Sequence, residues 1–131
     1  MWITRHHLLR LFAVGIALLF LVTTLTLGDE AGRPVVTVIH VDAAPESTQS
    51  AITLLTGFRR DSLRDTGAKT FQVLQELDRP NHFTLVEEWS TQKDYENHNL
   101  EAHTRHFRDQ LQPMLASPFD ERVHTELITA P

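Results

Sequence analysis

The chain has 131 residues, 41 % of them hydrophobic, with no cysteine and a formal net charge of −5. This length is typical of one folded domain, and the hydrophobic content excludes a disordered chain. The acidic balance argues against a nucleic-acid-binding protein, and the missing cysteine excludes disulfides, thiolate metal ligands and a cysteine nucleophile.

The first thirty residues carry the pattern of a targeting segment. Arg5 and Arg10 precede residues 11–27, a run of 17 residues without a charge. A basic stretch before an apolar run is typical of a secretory signal or a membrane anchor. Cleavage after Gly28 and an uncleaved anchor both stay open, and a buried core helix is the third alternative. We expect residues 1–28 to contact the membrane and the rest to be exported, to the periplasm or the cell exterior.

The predicted folding unit, residues 34–131, is more acidic than the whole chain. Removal of residues 1–28 leaves 10 basic and 17 acidic residues in residues 29–131, a net charge of −7. A unit of this size has a thin hydrophobic core. We therefore expect a dimer from the small size of this unit alone.

Hydrophobic periodicity and turn residues divide the folding unit into strands and helices. The predicted elements, in chain order, are a strand at 34–41, a helix at 46–64, strands at 68–77 and 83–89, helices at 93–100 and 102–115, and a strand at 122–129. Ala51, Leu55 and Phe58 share one stripe of the first helix. Thr91 and Asp94 resemble a capping box, and Pro113 should disturb the last turn of the longest helix.

The order β-α-β-β-α-β predicts an α+β, ferredoxin-like fold. Its four-stranded antiparallel sheet carries the helices on one face. The other face then has no cover from the same chain. A second copy is the simplest partner for that face, so the order also favours a homodimer.

The side chains suited to chemistry concentrate where the second strand of the hairpin ends. Glu87 and Trp89 form a Glu-x-Trp pair, and His98 and His103 follow on the next helices. Purely structural roles are the alternative for each residue. Trp89 would then fill the core, Glu87 would cap a helix or a sheet edge, and the histidines would bond to the backbone.

Other kinds of site find little support in the sequence. His98, His103 and His106 are spaced by five and three; the His103–His106 pair lies on one helix face, and a third metal ligand would have to come from Glu87 or His40. This spacing matches no zinc or iron signature, so no metal is expected. There is no G-x-S-x-G elbow for a catalytic triad, and the glycines are too scattered for a nucleotide loop.

The stretch from Val35 to Leu127 resembles the antibiotic biosynthesis monooxygenase domain of small quinol monooxygenases. The resemblance rests on the first strand, the hairpin with its Glu-x-Trp pair, and the segment YENHNLEAHTRHF at 95–107. Glu87, Trp89, His98 and His103 fall where the family pattern E-x-W…H…H places them. The resemblance covers essentially the whole folding unit.

The resemblance implies a dimeric α/β barrel with a pocket between sheet and helices in each subunit. It implies oxidation of a quinol or polyphenol by molecular oxygen, without a metal, flavin, haem or other cofactor. Trp89 would form a wall of the pocket, and His98 or His103 would be the base. Further residues expected to bind the small aromatic substrate are Glu87, Phe83, Tyr95, Phe107 and His40.

Two other functions are compatible with the same fold. One is a ligand-binding or stress-response dimer without turnover. The other is a haem-binding protein that uses His40 or His98. Haem degradation is weakened because the first strand has no Asn. Thr84, Leu85 and Val86 stand where some antibiotic-pathway members carry an Asn.

Overall fold

The computed structural model describes residues 32–127. The targeting segment predicted at 1–28 lies outside the described residues, as do residues 128–131. Within the described range, no helix is long and apolar enough to cross a membrane.

The described part of the chain contains four strands and three α-helices. The strands are β1 (Val35–Asp42), β2 (Ala68–Gln75), β3 (His82–Trp89) and β4 (Asp120–Thr125). The α-helices are α1 (Thr48–Ser62), α2 (Gln92–Leu100) and α3 (Ala102–Leu111). One-turn 3₁₀ helices lie at Pro45–Ser47 and Gln112–Met114.

The strands form one antiparallel sheet in the order β2-β3-β1-β4, which confirms the predicted ferredoxin-like fold. Alternate residues of the two central strands are buried beneath the helices. On β3 these are Phe83, Leu85, Glu87 and Trp89. The predicted α1 stripe of Ala51, Leu55 and Phe58 is buried as well, and it packs in one cluster with Phe107 and Leu111 of α3.

The longest helix and the last strand differ most from their predicted boundaries. The longest helix ends at Leu111 rather than at residue 115, because Pro113 has no N–H to donate and the chain continues as a 3₁₀ turn. The last strand, predicted at 122–129, begins at Asp120 and ends at Thr125, and positions 128 and 129 of the prediction lie outside the described residues. Thr125 pairs with Val35, the first residue of β1, so the neighbouring strand ends there.

The turn after α1 is joined directly to the start of α2. Gly67 has a φ of +80°, and its carbonyl accepts a hydrogen bond of 2.8 Å from the Ser90 amide. A Cβ at position 67 would overlap the Asp94 carboxyl, so only glycine fits this approach. Thr91 is the N-cap of α2 and accepts from the Asp94 amide at 3.1 Å, as the capping box predicts. The approach brings the end of α1 next to α2.

The other face of the sheet is not covered by any helix of the described chain. Val36 and Val38 of β1 and Val86 of β3 form its apolar centre. Polar side chains surround this centre, among them Gln72, Thr84, Glu88, Arg122 and His124. An apolar centre with a polar rim is the usual anatomy of a protein interface.

Candidate functional site

Glu87 and Trp89 lie side by side at the end of β3 and face the helices. Trp89 has no exposed surface, and only 1 % of Glu87 is exposed. The indole N–H donates to Glu87 Oε2 at 3.2 Å. The Glu-x-Trp spacing produces this contact, because residues two apart on a strand project from the same face.

Burial raises the pKa of Glu87 to about 7. The Trp89 hydrogen bond works against this rise, Glu121 adds to it, and Arg108 opposes it. Glu87 Oε1 and the Oγ1 of Thr37, its partner across β1 and β3, are buried without a hydrogen-bond partner among the described residues. Near neutral pH, Glu87 is therefore present in both protonated and ionised forms.

His98, His103 and Asp65 form a compact polar cluster beside Trp89. His98 Nδ1 donates to Asp65 Oδ2 at 2.7 Å. His103 Nε2 lies 3.1 Å from the same oxygen, yet it is buried and not aligned for a hydrogen bond with it or with any other described group. Both imidazoles thus converge on one carboxylate oxygen.

The His98 ring is held on two sides. It stacks on Trp89 with 4.4 Å between ring centroids, and Thr104 Oγ1 lies 3.4 Å from its Nδ1. Burial lowers the pKa of His98, although the Asp65 hydrogen bond works in the opposite direction. His98 is therefore a neutral imidazole at pH 7, with a fixed ring orientation.

A cavity of about 260 Å³ opens between α1 and α3. We call it the helix cavity; its walls include Leu54, Gly57, Phe58, His103, His106 and Phe107. Phe58 and Phe107 stack with parallel rings 3.8 Å apart, and Phe58 also lies 6.2 Å from the His103 ring. Drug-sized ligands occupy pockets of roughly 300–1,000 Å³, so this volume suits a smaller aromatic molecule.

A second cavity, of about 250 Å³, also borders the polar cluster. We call it the α2 cavity; Asp65, Asp94, Asn97, His98 and Glu101 border it. The polar cluster therefore touches one cavity through His103 and the other through Asp65 and His98. Trp89 borders neither cavity and is a core residue.

Three residues predicted to bind substrate lie away from the polar cluster. Tyr95 donates to Glu121 Oε1 at 2.9 Å, and burial raises the pKa of its hydroxyl to about 12. His40 is exposed on the uncovered face of the sheet, 3.3 Å from Thr84. Phe83 is a core residue, and it borders a separate cavity of about 330 Å³ together with His40. Because the sheet separates His40 from His98, one haem could not reach both.

Asp65 and Phe58 were missed by the sequence reasoning. Asp65 follows the C-terminal end of α1, where the helix dipole disfavours an acid. This unfavourable position was a signal that the residue serves another purpose. Phe58 was recognised as a core residue, but its position in the wall of the helix cavity depends on the packing of α1 against α3.

The polar cluster is the group of the described chain best suited to hold a metal ion. Three ligand atoms lie within 4.8 Å of one another here, one each from Asp65, His98 and His103. The sequence had grouped His98 and His103 with His106, and with Glu87 or His40 as a further ligand. The structure pairs the first two histidines with Asp65 instead.

Comparisons with known proteins agree with this architecture. The sequence profile of a family described as antibiotic biosynthesis monooxygenase matches residues 34–110. A solved structure from Nitrosomonas europaea, provisionally named an antibiotic biosynthesis monooxygenase, is 27 % identical with a TM-score of 0.69. It covers 73 % of this chain, and the match spans 92 % of that protein. No curated protein matches the sequence.

Two further solved structures share the fold. A conserved protein from Methanosarcina mazei is 21 % identical with a TM-score of 0.67, and the match covers 72 % of this chain and 94 % of that one. A protein from Bacteroides thetaiotaomicron, with the same provisional monooxygenase name, is 22 % identical with a TM-score of 0.67. That match covers 73 % of this chain and 91 % of the other.

Proposed function

The chain belongs to the antibiotic biosynthesis monooxygenase family, and on this premise we propose that it oxidises a quinol or polyphenol with molecular oxygen, without a metal, flavin or haem. The observation that supports this most is the helix cavity, whose wall combines the stacked Phe58–Phe107 pair with His103. Aromatic walls bind an aromatic ring, and an imidazole beside them can take a proton from a ring hydroxyl.

His103 is the base of this proposal because it borders the cavity. Its Nε2 lies 3.1 Å from Asp65, which leaves Nδ1 to accept the proton of the substrate. The Asp65 carboxylate then stabilises the imidazolium that forms. His98 is buried behind this pair, where it fixes Asp65 through their hydrogen bond. Trp89 in turn fixes the His98 ring by stacking.

The proposed reaction needs no external reductant. His103 removes a hydroxyl proton, the electron-rich phenolate passes one electron to oxygen, and the two radicals join in a C–O bond at a ring carbon. Loss of water breaks the O–O bond. A quinol and O₂ thus give a hydroxyquinone and water, and the quinol supplies all four electrons. The surrounding apolar walls limit access of water to the reactive pair.

Oxygen uptake by the purified 131-residue chain tests this function. We expect uptake with quinols from a panel of benzene, naphthalene and polyphenol types, above the rate of autoxidation without protein. With ¹⁸O₂, one labelled atom should enter the product and the other should enter water. Hydrogen peroxide as the only reduced oxygen product, or no uptake across the panel, would contradict the proposal.

His103→Ala is the decisive variant for this activity. Loss of a positioned base lowers the rate by about 10²–10⁴-fold. His82→Ala is the matched control, because His82 also contacts a carboxylate, Asp42, at 2.6 Å but lies at the far end of β3. The turnover number of each variant should be measured with the best quinol. Equal losses in both variants would show that His103 has no specific role.

The proposal includes a homodimer formed by the uncovered face of the sheet. Val38→Glu places a charge at its apolar centre, opposite Arg122 on β4 and Val86 on β3. We expect this variant to be monomeric because desolvating a carboxylate at an interface is costly. Sedimentation velocity measures the mass, with exposed Leu77→Glu as the control. A monomeric wild-type chain, or a dimeric Val38→Glu chain, would refute this interface.

The predicted targeting segment supports a membrane-derived substrate. Residues 11–27 would hold or deliver the folded unit beside the membrane, where apolar quinols dissolve. Export is thus part of the same proposal. Fractionation of cells that produce the chain should recover it outside the cytoplasm, and a purely cytoplasmic chain would remove this support.

A further inference from the structure

The polar cluster of Asp65, His98 and His103 contains a buried nitrogen without a hydrogen-bond partner among the described residues. His103 Nε2 is buried 3.1 Å from Asp65 Oδ2 but is not aligned to bond to it. Buried polar atoms in folded proteins nearly always have a partner, and an orphan of this kind often marks the place of a water or an ion. The unpartnered nitrogen lies beside a carboxylate oxygen and a second imidazole, so three possible metal-ligand atoms are close together.

The donor set is one that transition metals prefer. Two imidazole nitrogens and one carboxylate oxygen bind Zn²⁺, Fe²⁺ and related divalent ions, and two histidines with one carboxylate are a recurrent set with open positions. Ligand atoms about 2.0–2.2 Å from one metal lie roughly 3 Å from each other. The separations of 2.7 Å and 3.1 Å from Asp65 Oδ2 to the two nitrogens agree with this requirement.

We propose that Asp65, His98 and His103 form a binding site for a divalent first-row transition metal, with Zn²⁺ as the ion to test first. Binding through His98 Nδ1 requires that the proton of the neutral ring moves to Nε2. The three protein ligands leave at least one coordination position open for water or a small ligand.

Access to the site and support around it are both present. The helix cavity reaches His103, and the α2 cavity reaches Asp65 and His98, so an ion has a path from solvent. Stacking on Trp89 fixes the His98 ring before any metal arrives. A ring that is already oriented loses little conformational entropy on binding.

This site goes beyond the proposed function, which uses no metal. A bound ion would occupy His103, the base of the proposed oxidation. We therefore expect Zn²⁺ to inhibit quinol oxidation and a chelator to restore it. Metal binding itself is measured without any turnover, so failure of either idea is recognised separately.

The test uses the tag-free 131-residue chain after treatment with a chelator. Binding of Zn²⁺ is measured by titration calorimetry, and binding of Co²⁺ is measured by visible absorption. We expect about one equivalent of bound metal per chain and ligand-field bands with Co²⁺. Asp65→Asn and His103→Ala should each weaken binding at least about tenfold, the lower end of losses reported for supporting residues of metal sites. His106→Ala, one turn from His103 on α3, should bind like the wild type.

A second measurement, the melting temperature, tests metal binding even if some variants fail to fold. Zn²⁺ should also raise the melting temperature of the wild type and of His106→Ala, because an ion that binds only the folded chain stabilises it. Metal binding by His98→Ala is interpreted only if the circular dichroism spectrum of this variant matches that of the wild type. If it does not, the conclusion rests on Asp65→Asn and His103→Ala. No saturable binding by the wild type, or binding retained in both of these variants, would overturn the proposal.

Discussion

Trp89→Ala is expected to remove a large part of the free energy of unfolding. The side chain has no exposed surface, and replacing a buried Trp or Phe by Ala costs about 3–5 kcal/mol. The same change removes the donor to Glu87 and the ring on which His98 stacks. Small domains have a free energy of unfolding of about 5–15 kcal/mol, so the loss is a large part of the total. Urea denaturation followed by circular dichroism measures it.

Trp89→Phe separates packing from hydrogen bonding at this position. Phenylalanine keeps an aromatic ring against His98 but cannot donate to Glu87, whose carboxyl would then be buried without a donor. Leaving a buried group unsatisfied costs about 1–3 kcal/mol. We therefore expect an intermediate loss, and Leu77→Ala in the fully solvent-exposed hairpin loop should cost almost nothing. Equal stability of Trp89→Ala and wild type would show that the indole is not a core anchor.

Glu87→Gln is expected to remove a large pH dependence of stability. The pKa of Glu87 is about 7 in the folded chain against an ordinary value of 4.5. Between these values the unfolded chain is ionised while the folded chain keeps its proton, so the free energy of unfolding falls as pH rises. At 1.36 kcal/mol per pKa unit, the fall from pH 4.5 to 7 is about 3 kcal/mol. The glutamine variant lacks this component.

The measurement for Glu87 is the difference in unfolding free energy between Glu87→Gln and wild type from pH 4.5 to 8. The difference should be small at pH 4.5 and should favour the variant by up to about 3 kcal/mol at pH 8. Subtracting the wild type cancels the contributions of other titrating groups, including His98. Glu88→Gln is the control, since Glu88 lies on the opposite face and contacts Lys69 at 3.3 Å. A flat difference would place an ionised Glu87 in the folded core.

Local patterns predicted most of the fold because they act over a few residues. Alternation along Phe83–Trp89 places Glu87 and Trp89 on one face of the strand, and in the structure both are buried on the same face. The Thr91–Asp94 cap depends on one turn of helix, and it was predicted as well. The limits of β4 were not predicted, since a strand ends where its neighbour ends, and that neighbour is distant in sequence.

The sequence by itself thus determined the β-α-β-β-α-β order, the face that Glu87 and Trp89 share on their strand and the residues of the Glu-x-Trp pair. Only the tertiary structure decided that His98 and His103 lie together and that both contact Asp65. Asp65 and His98 are 33 positions apart, and they touch because the Gly67 turn is hydrogen-bonded to Ser90, two residues before α2 begins. The tertiary structure also places Tyr95 and His40 away from the polar cluster. Periodicity fixes the direction of a side chain from its own element, whereas a site depends on the distance between elements, which packing sets.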